Sequence, residues 1–348
     1  MIVITFIFAY LISGPFVYGD SGLELKIKTP IFHGPQMIYK KGANSLLMKD
    51  EQGRPFRAIL KADSRFNLRS STPKDNVTFY LYTRQYNTEV QVFTNDTEGL
   101  KYTSFNTEDP TIILVHGFIN SVHSNSVQLI RQAYLSAGNF NVIGVDWSTL
   151  AQGPWYNHAA KYTYGVGLQV AEFIDFLVSR NVNLKNIHLI GHSLGAHVSG
   201  VAAKNIKSGK LSRLTGLDPA LPLFDEEHMS KRIDSSDADM VDCIHTCGGY
   251  LGFYTPICSH DFYPNGGSLS QPGCFWDIFG DCSHGRSYEY YAESIFDVFL
   301  SDKCTDITEV GNGKCANGTG VMGHHSTGTP AGIYYLTTKK QYPFSADS

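Results

Sequence analysis

No cysteine occurs before Cys243, so disulfide cross-links can hold only the last third of this 348-residue chain. Charge of one sign is scarce too. Twenty-eight Lys and Arg against 32 Asp and Glu leave a formal net charge of −4, which excludes a global electrostatic drive toward nucleic acid or an anionic membrane. Any membrane contact must then be local and apolar. Beyond the N-terminus no stretch approaches eighteen apolar residues, and the tail Lys339-Lys340-Gln341-Tyr342-Pro343-Phe344-Ser345 is too polar for a lipid-anchor signal. Internal repeats and low-complexity tracts are also missing. What is plentiful is apolar and aromatic material: 42% hydrophobic residues, with 21 Phe and 20 Tyr, suffice for a buried core.

The first residues, Met1-Ile2-Val3-Ile4-Thr5-Phe6-Ile7-Phe8-Ala9-Tyr10-Leu11-Ile12, form an apolar run followed by Ser13-Gly14-Pro15 and by Val17-Tyr18-Gly19. This predicts a secretory signal peptide over 1–19, cut near Gly19, although no Lys or Arg marks its start. The mature protein is expected to be soluble, secreted and extracellular, and the sequons at Asn76, Asn95 and Asn317 agree with export. Residues 20–75 carry eleven Lys and Arg against six Asp and Glu, while the rest carries seventeen against twenty-six. That contrast, with turn-rich Gly34-Pro35 and Gly53-Arg54-Pro55, marks an N-terminal arm or pro-segment; an ordinary opening strand and loop is the alternative. The catalytic domain is expected over 76–348.

Secretion makes disulfides the default for the seven cysteines. Cys247 with Cys258, Cys274 with Cys282 and Cys304 with Cys315 each close a short loop, and each bridge contributes about 2–3 kcal/mol if unstrained. Cys243 is left over as a buried thiol.

From Val77 onward strands and helices alternate. Residues 77–82 and 89–93 form an opening antiparallel pair, and 111–115, 141–145 and 186–190 are continuous apolar runs of the buried-strand type. Val166, Val170, Phe173, Ile174 and Leu177 fall on one helix face, as do Val127, Ile130 and Tyr134. Such repetition predicts an α/β fold with a mostly parallel sheet covered on both sides. The run Ile187-His188-Leu189-Ile190 leads into Gly191-His192-Ser193-Leu194-Gly195, and Ala196 to Ala203 reads as a helix start. A serine on a strand-to-helix turn between small residues projects its hydroxyl where a base and a substrate both reach it.

Such a serine needs a histidine to take its proton and a carboxylate to fix that histidine, in the chain order Ser, acid, His. Asp218, at the end of the apolar run Leu214-Thr215-Gly216-Leu217, is the expected acid; Asp242, inside a strand pattern, is its rival. His228, His245, His260, His284, His324 and His325 all follow, and local sequence only ranks them. His284 sits in a loop after Cys282 and before a helix expected over 286–295. Backbone N–H groups of Leu194, next to the nucleophile, and Phe118, after the strand 111–115, are the expected oxyanion donors.

The motifs Val115-His116-Gly117-Phe118, Val145-Asp146-Trp147, Gly191 to His197, Gly216-Leu217-Asp218-Pro219-Ala220, Val241 to Thr246, Asp261 to Gly267, Gln271-Pro272-Gly273-Cys274 and Cys282-Ser283-His284-Gly285-Arg286-Ser287 run in order over about 77–340. Together they resemble the pancreatic lipase family of secreted animal lipases and phospholipases A1. The resemblance implies an α/β-hydrolase fold with Ser193 as nucleophile, Asp218 as acid and His284 as base. In lipases resembling this chain a long lid lies between two cysteines; here only Phe275, Trp276, Asp277, Ile278, Phe279, Gly280 and Asp281 separate Cys274 from Cys282. The loop from Cys247 to Cys258 is also brief. Short loops resemble the phospholipase A1 branch, implying release of the sn-1 fatty acid from glycerophospholipids; a triacylglycerol or galactolipid lipase and a non-catalytic lipid-binding or storage protein are the alternatives. Phe275, Trp276, Ile278 and Phe279 are dense enough to insert at a lipid-water interface. No room is left for the C-terminal β-sandwich, so no colipase partner is expected. No cofactor is required by this chemistry. Arg232, Asp234 and Asp237 match three positions of the family's structural calcium loop, but Met229 stands at its glutamate position, leaving oxygen ligands short unless Glu226, Glu227 or water helps.

Overall fold

The computed structural model describes residues 38–50, 52–61, 73–224 and 229–346. The expected signal peptide, His228, Glu226, Glu227 and much of the segment 20–75 lie outside the described residues. The described residues begin with a hairpin, β1 (Ser45–Lys49) against β2 (Pro55–Ile59), which buries Leu46, Ala58 and Leu60 in the main core.

Among the described residues the other strands form one eleven-stranded sheet. In chain order they are β3 (Thr78–Tyr82), β4 (Val90–Val92), β5 (Thr111–Val115), β6 (Asn141–Asp146), β7 (Ile187–His192), β8 (Leu211–Leu217), β9 (Ala238–Ile244), β10 (His260–Pro264), β11 (Phe299–Cys304), β12 (Thr319–Met322) and β13 (Gly332–Leu336). Their spatial order is β12-β11-β13-β10-β9-β8-β7-β5-β6-β3-β4, parallel from β13 through β6 and antiparallel at both flanks. The helices are α1 (Thr97–Lys101), α2 (Asn125–Ala137), α3 (Tyr156–Ser179), α4 (Leu194–Asn205), α5 (Asp281–Glu293) and α6 (Ile307–Asn312). None among the described residues is long and apolar enough to cross a membrane.

The sheet is apolar on both faces because its two faces build two cores. Along β5, Ile113 and Val115 join the core that holds Val166, Val170 and Phe173 of α3, while Ile112 and Leu114 join Val127, Ile130 and Tyr134 of α2. Alternation of side chains along a strand produces this split. All five residues of the predicted α3 face are buried, as are the three of α2. Strand β5 lies between β6 and β7; the chain passes from β5 to β6 on one side and from β7 to β8 on the other, so a crevice opens at the carboxyl ends of β5 and β7.

Two expectations are corrected here. Cys258 pairs with Cys243, not Cys247. Strand β10 lies parallel to β9 with Asp261 opposite Cys243, and the Ser259 amide bonds the Val241 carbonyl at 2.9 Å, so Cys258 arrives beside Cys243, Cα to Cα 5.9 Å. Cys247 lies beyond the end of β9 as the buried free thiol. The bridges Cys274–Cys282 and Cys304–Cys315 form as expected. His284 is the second point: it lies in the first turn of α5, not in a loop before it. The buried Asp277 carboxylate accepts the amides of Ser283 (2.7 Å) and Cys282 (3.3 Å), satisfying N–H groups that a helix start leaves open, so the helix begins at Asp281.

Candidate active site

Ser193 joins β7 to α4 with φ 57° and ψ −123°, a strained turn that puts its side chain at the crevice. The flanking glycines are sterically required. A Cβ on Gly191 would stand 2.2 Å from the Gly195 carbonyl oxygen, and one on Gly195 would stand 2.2 Å from that of Val115. The Ser193 amide bonds the Leu217 carbonyl at 3.0 Å, tying the turn to the end of β8.

Asp218 follows β8 directly and is fully buried. One carboxylate oxygen accepts the amides of Thr246 (2.8 Å) and Cys247 (3.0 Å), both just past the end of β9. The other faces His284 Nδ1 at 2.5 Å. With Nδ1 so engaged, Nε2 is the ring atom left to exchange a proton. Ser193 and His284 line the same cavity, of about 450 Å³.

The rival residues are engaged elsewhere. Asp242 receives the Arg213 guanidinium in a two-point fork, at 2.8 and 3.0 Å, and the Thr215 hydroxyl at 2.9 Å. His245 spans the Phe253 carbonyl (2.7 Å) and Asp261 (2.8 Å), and His260 spans Ser259 and the Thr329 carbonyl, both 2.9 Å. His324 meets the Tyr134 hydroxyl at 3.1 Å, and His325 is exposed. Among the described histidines downstream of the acid, His284 is the one that meets it.

Leu194 is the first residue of α4, where amides have no partner within the helix. Phe118 lines the same cavity as Ser193, and the chain before it runs so near that a Cβ on Gly117 would stand 2.7 Å from that of Ser193. His116 anchors this loop. Its Nε2 accepts the Trp147 amide at 3.1 Å, its Nδ1 donates to the Gly117 carbonyl at 2.9 Å, and its carbonyl takes the Trp147 indole N–H at 2.9 Å.

Several lining residues had no local signal in the sequence. His192 packs its ring 4.4 Å from that of His284, and burial, with His284 beside it, pushes its pKa well below the usual value. A neutral neighbour does not repel a protonated His284. Lys49 of the hairpin also lines the cavity, with Nζ 3.4 Å from Asp281 and 5.0 Å from the centre of the Phe279 ring. In the loop between Cys274 and Cys282, Phe275, Trp276 and Ile278 are 78%, 91% and 56% exposed, whereas Asp277 and Gly280 are buried. Asn95 and Asn317 are exposed and Asn76 is half-buried.

The Lipase family model matches residues 43–344. Lipase member H of Rattus norvegicus is 36% identical over 282 residues, covering 78% of this chain and 60% of that protein. The pancreatic triacylglycerol lipases of Myocastor coypus and Homo sapiens are 34% and 35% identical, over 72% and 74% of this chain and 61% and 62% of their own lengths. The chain therefore spans about three-fifths of the length of these curated relatives. A solved structure from Xanthomonas campestris, described as a member of the α/β serine hydrolases, is 15% identical with a TM-score of 0.31, over 60% of this chain and 73% of its own.

Proposed function

The chain belongs to the lipase family, and from that premise we propose that it is a secreted serine ester hydrolase of lipids, specifically a phospholipase A1. The observation that carries this reading is the His284 to Asp218 hydrogen bond beside a cavity shared with Ser193. His284 Nε2 takes the proton as Ser193 Oγ attacks the ester carbonyl. The Leu194 and Phe118 amides receive the charge on the former carbonyl oxygen. When the carbon–oxygen bond to glycerol breaks, His284 returns the proton to the leaving oxygen; water then repeats the sequence on the acyl-serine. Asp218, held by two amides, keeps the imidazole in the required tautomer.

Phospholipid is favoured by the seven-residue span between Cys274 and Cys282 and by the polar mouth, where Lys49, Asp50, Asn120, His123 and Asp281 suit a charged headgroup. Three disulfides support an oxidising, extracellular setting. Triacylglycerol hydrolysis is the competing reading, because relatives of that name are as similar as lipase member H. Product analysis on phosphatidylcholine and triolein separates the two. The expected products are 2-acyl lysophospholipid and the sn-1 fatty acid; rapid triolein cleavage without lysophospholipid would favour the neutral-lipid reading. If Ser193→Ala leaves turnover unchanged, the serine assignment fails.

A further inference from the structure

Arg232, Asp234 and Asp237 match three positions of the calcium loop in the family this chain resembles, and the groups present do not fit a calcium ion. Among the described residues two oxygens converge there, the Arg232 carbonyl and Asp237 Oδ1, and both accept from a single donor, Lys204 Nζ. It lies 2.9 Å from the carbonyl and in direct contact with the carboxylate. The second Asp237 oxygen accepts the Asp234 amide at 2.8 Å, and Asp234 Oδ1 accepts the amide and hydroxyl of Ser236 at 3.0 and 2.8 Å. The Arg232 side chain donates to the Ile233 carbonyl at 2.8 Å and lies over the Phe253 ring. Calcium takes six to eight oxygens at about 2.3–2.6 Å. Here an ammonium holds the point where the first two would meet.

We infer that Lys204 is the resident cation of this loop: its ammonium replaces the divalent ion, so the loop is closed by a charge built into the chain and needs no calcium. Lys204 lies in the last turn of α4, the helix that begins at Leu194 next to Ser193. A cation in the last turn also complements the partial negative charge of a helix C-terminus. The loop grips the same helix a second time, where the Ile233 amide meets His197 Nδ1 at 3.4 Å; His197 Nε2 in turn donates to the Ala220 carbonyl at 2.6 Å. A bound ion stabilises a fold in proportion to the logarithm of its concentration, whereas a tethered ammonium does not depend on concentration at all. The helix behind the candidate nucleophile is therefore clamped whatever the calcium level around it.

The test is thermal unfolding of the full chain in EGTA and in millimolar calcium, with calcium titrated calorimetrically into the same protein. The wild-type Tm should be the same in both, with no saturable calcium binding. Lys204→Met keeps the aliphatic stem and removes the charge; in EGTA it should melt about 5 °C lower, and calcium should raise its Tm because the carbonyl and carboxylate are vacated. Loss of wild-type Tm in EGTA, one calcium bound per wild-type chain, a Lys204→Met protein that melts like wild type, or one that calcium does not raise, would each overturn the replacement. If the variant does not fold, the two wild-type measurements still decide.

Discussion

Asp218 and Asp242 sit on or just beyond adjacent parallel strands, and both are fully buried, yet their partners differ completely. Asp242, in mid-strand, is closed in by the Arg213 fork and Thr215. Asp218 lies one residue past the end of β8, where φ turns to 43°, and keeps one oxygen for His284 while two amides hold the other. Burial is the same; position along the strand decides which carboxylate reaches the crevice and which becomes part of the frame. A sheet of this kind presents chemistry at its carboxyl edge.

The largest expected effect breaks the comparison directly. Asp218→Asn should lower kcat for a soluble short-chain ester about 10⁴-fold, because the amide leaves His284 in the wrong tautomer, while the melting temperature moves far less than for the partner substitution. Asp242→Asn should do the reverse. Leaving the Arg213 guanidinium buried without its ionic partner costs about 3 kcal/mol of stability, read by urea unfolding, and at temperatures where the variant is folded kcat should stay within a few fold of wild type.

Acid sharpens the same contrast between frame and site. Burial pushes the pKa of His188 and His192 well below the usual value, and that of His197 down to about 3 and His324 to about 4. In the unfolded chain these rings titrate near about 6.5. Below that pH the unfolded state binds more protons than the folded one, so stability is fully present above about pH 6.5. It falls on acidification by about 1.4 kcal/mol per pH unit for each such histidine, until the folded-state pKa is reached. Denaturant unfolding at pH 7.5 and 5.5 checks the sign; equal stability at both would contradict the neutral assignments. The smallest effect is expected at the rim. Trp276, 91% exposed, should matter only at an interface: Trp276→Ala should slow hydrolysis of phosphatidylcholine vesicles about tenfold and leave a soluble ester untouched.

Much of this was legible in the sequence because it is local. The apolar spacing of α3, the continuous runs of β5, β6 and β7, and the glycines around Ser193 each carry their own physical signature. What was not legible depends on register and on contacts across the chain. Cys258 has two cysteines within reach along the sequence, and only the alignment of β10 with β9 selects Cys243. Asp277 reads as one residue of a surface loop, yet it caps α5 and fixes where His284 begins its turn. Lys49 and His192 carried no signal as cavity residues, since one comes from a distant hairpin and the other from the residue beside the serine. Spacing does not separate the six histidines, whereas the family resemblance points to His284, and the geometry that matches it, Nδ1 at 2.5 Å from Asp218, is a contact across 66 residues.

Ser193, activated through His284 and Asp218, is the proposed nucleophile. The most direct measurement is mass-spectrometric mapping of the adduct formed by a long-chain phosphonate ester on the wild-type, Asp218→Asn and Asp242→Asn proteins. One adduct is expected, on Ser193, formed at the same order of rate in wild type and Asp242→Asn and slowed by orders of magnitude in Asp218→Asn. An adduct on another residue, or labelling of Ser193 that does not respond to Asp218→Asn, would contradict it.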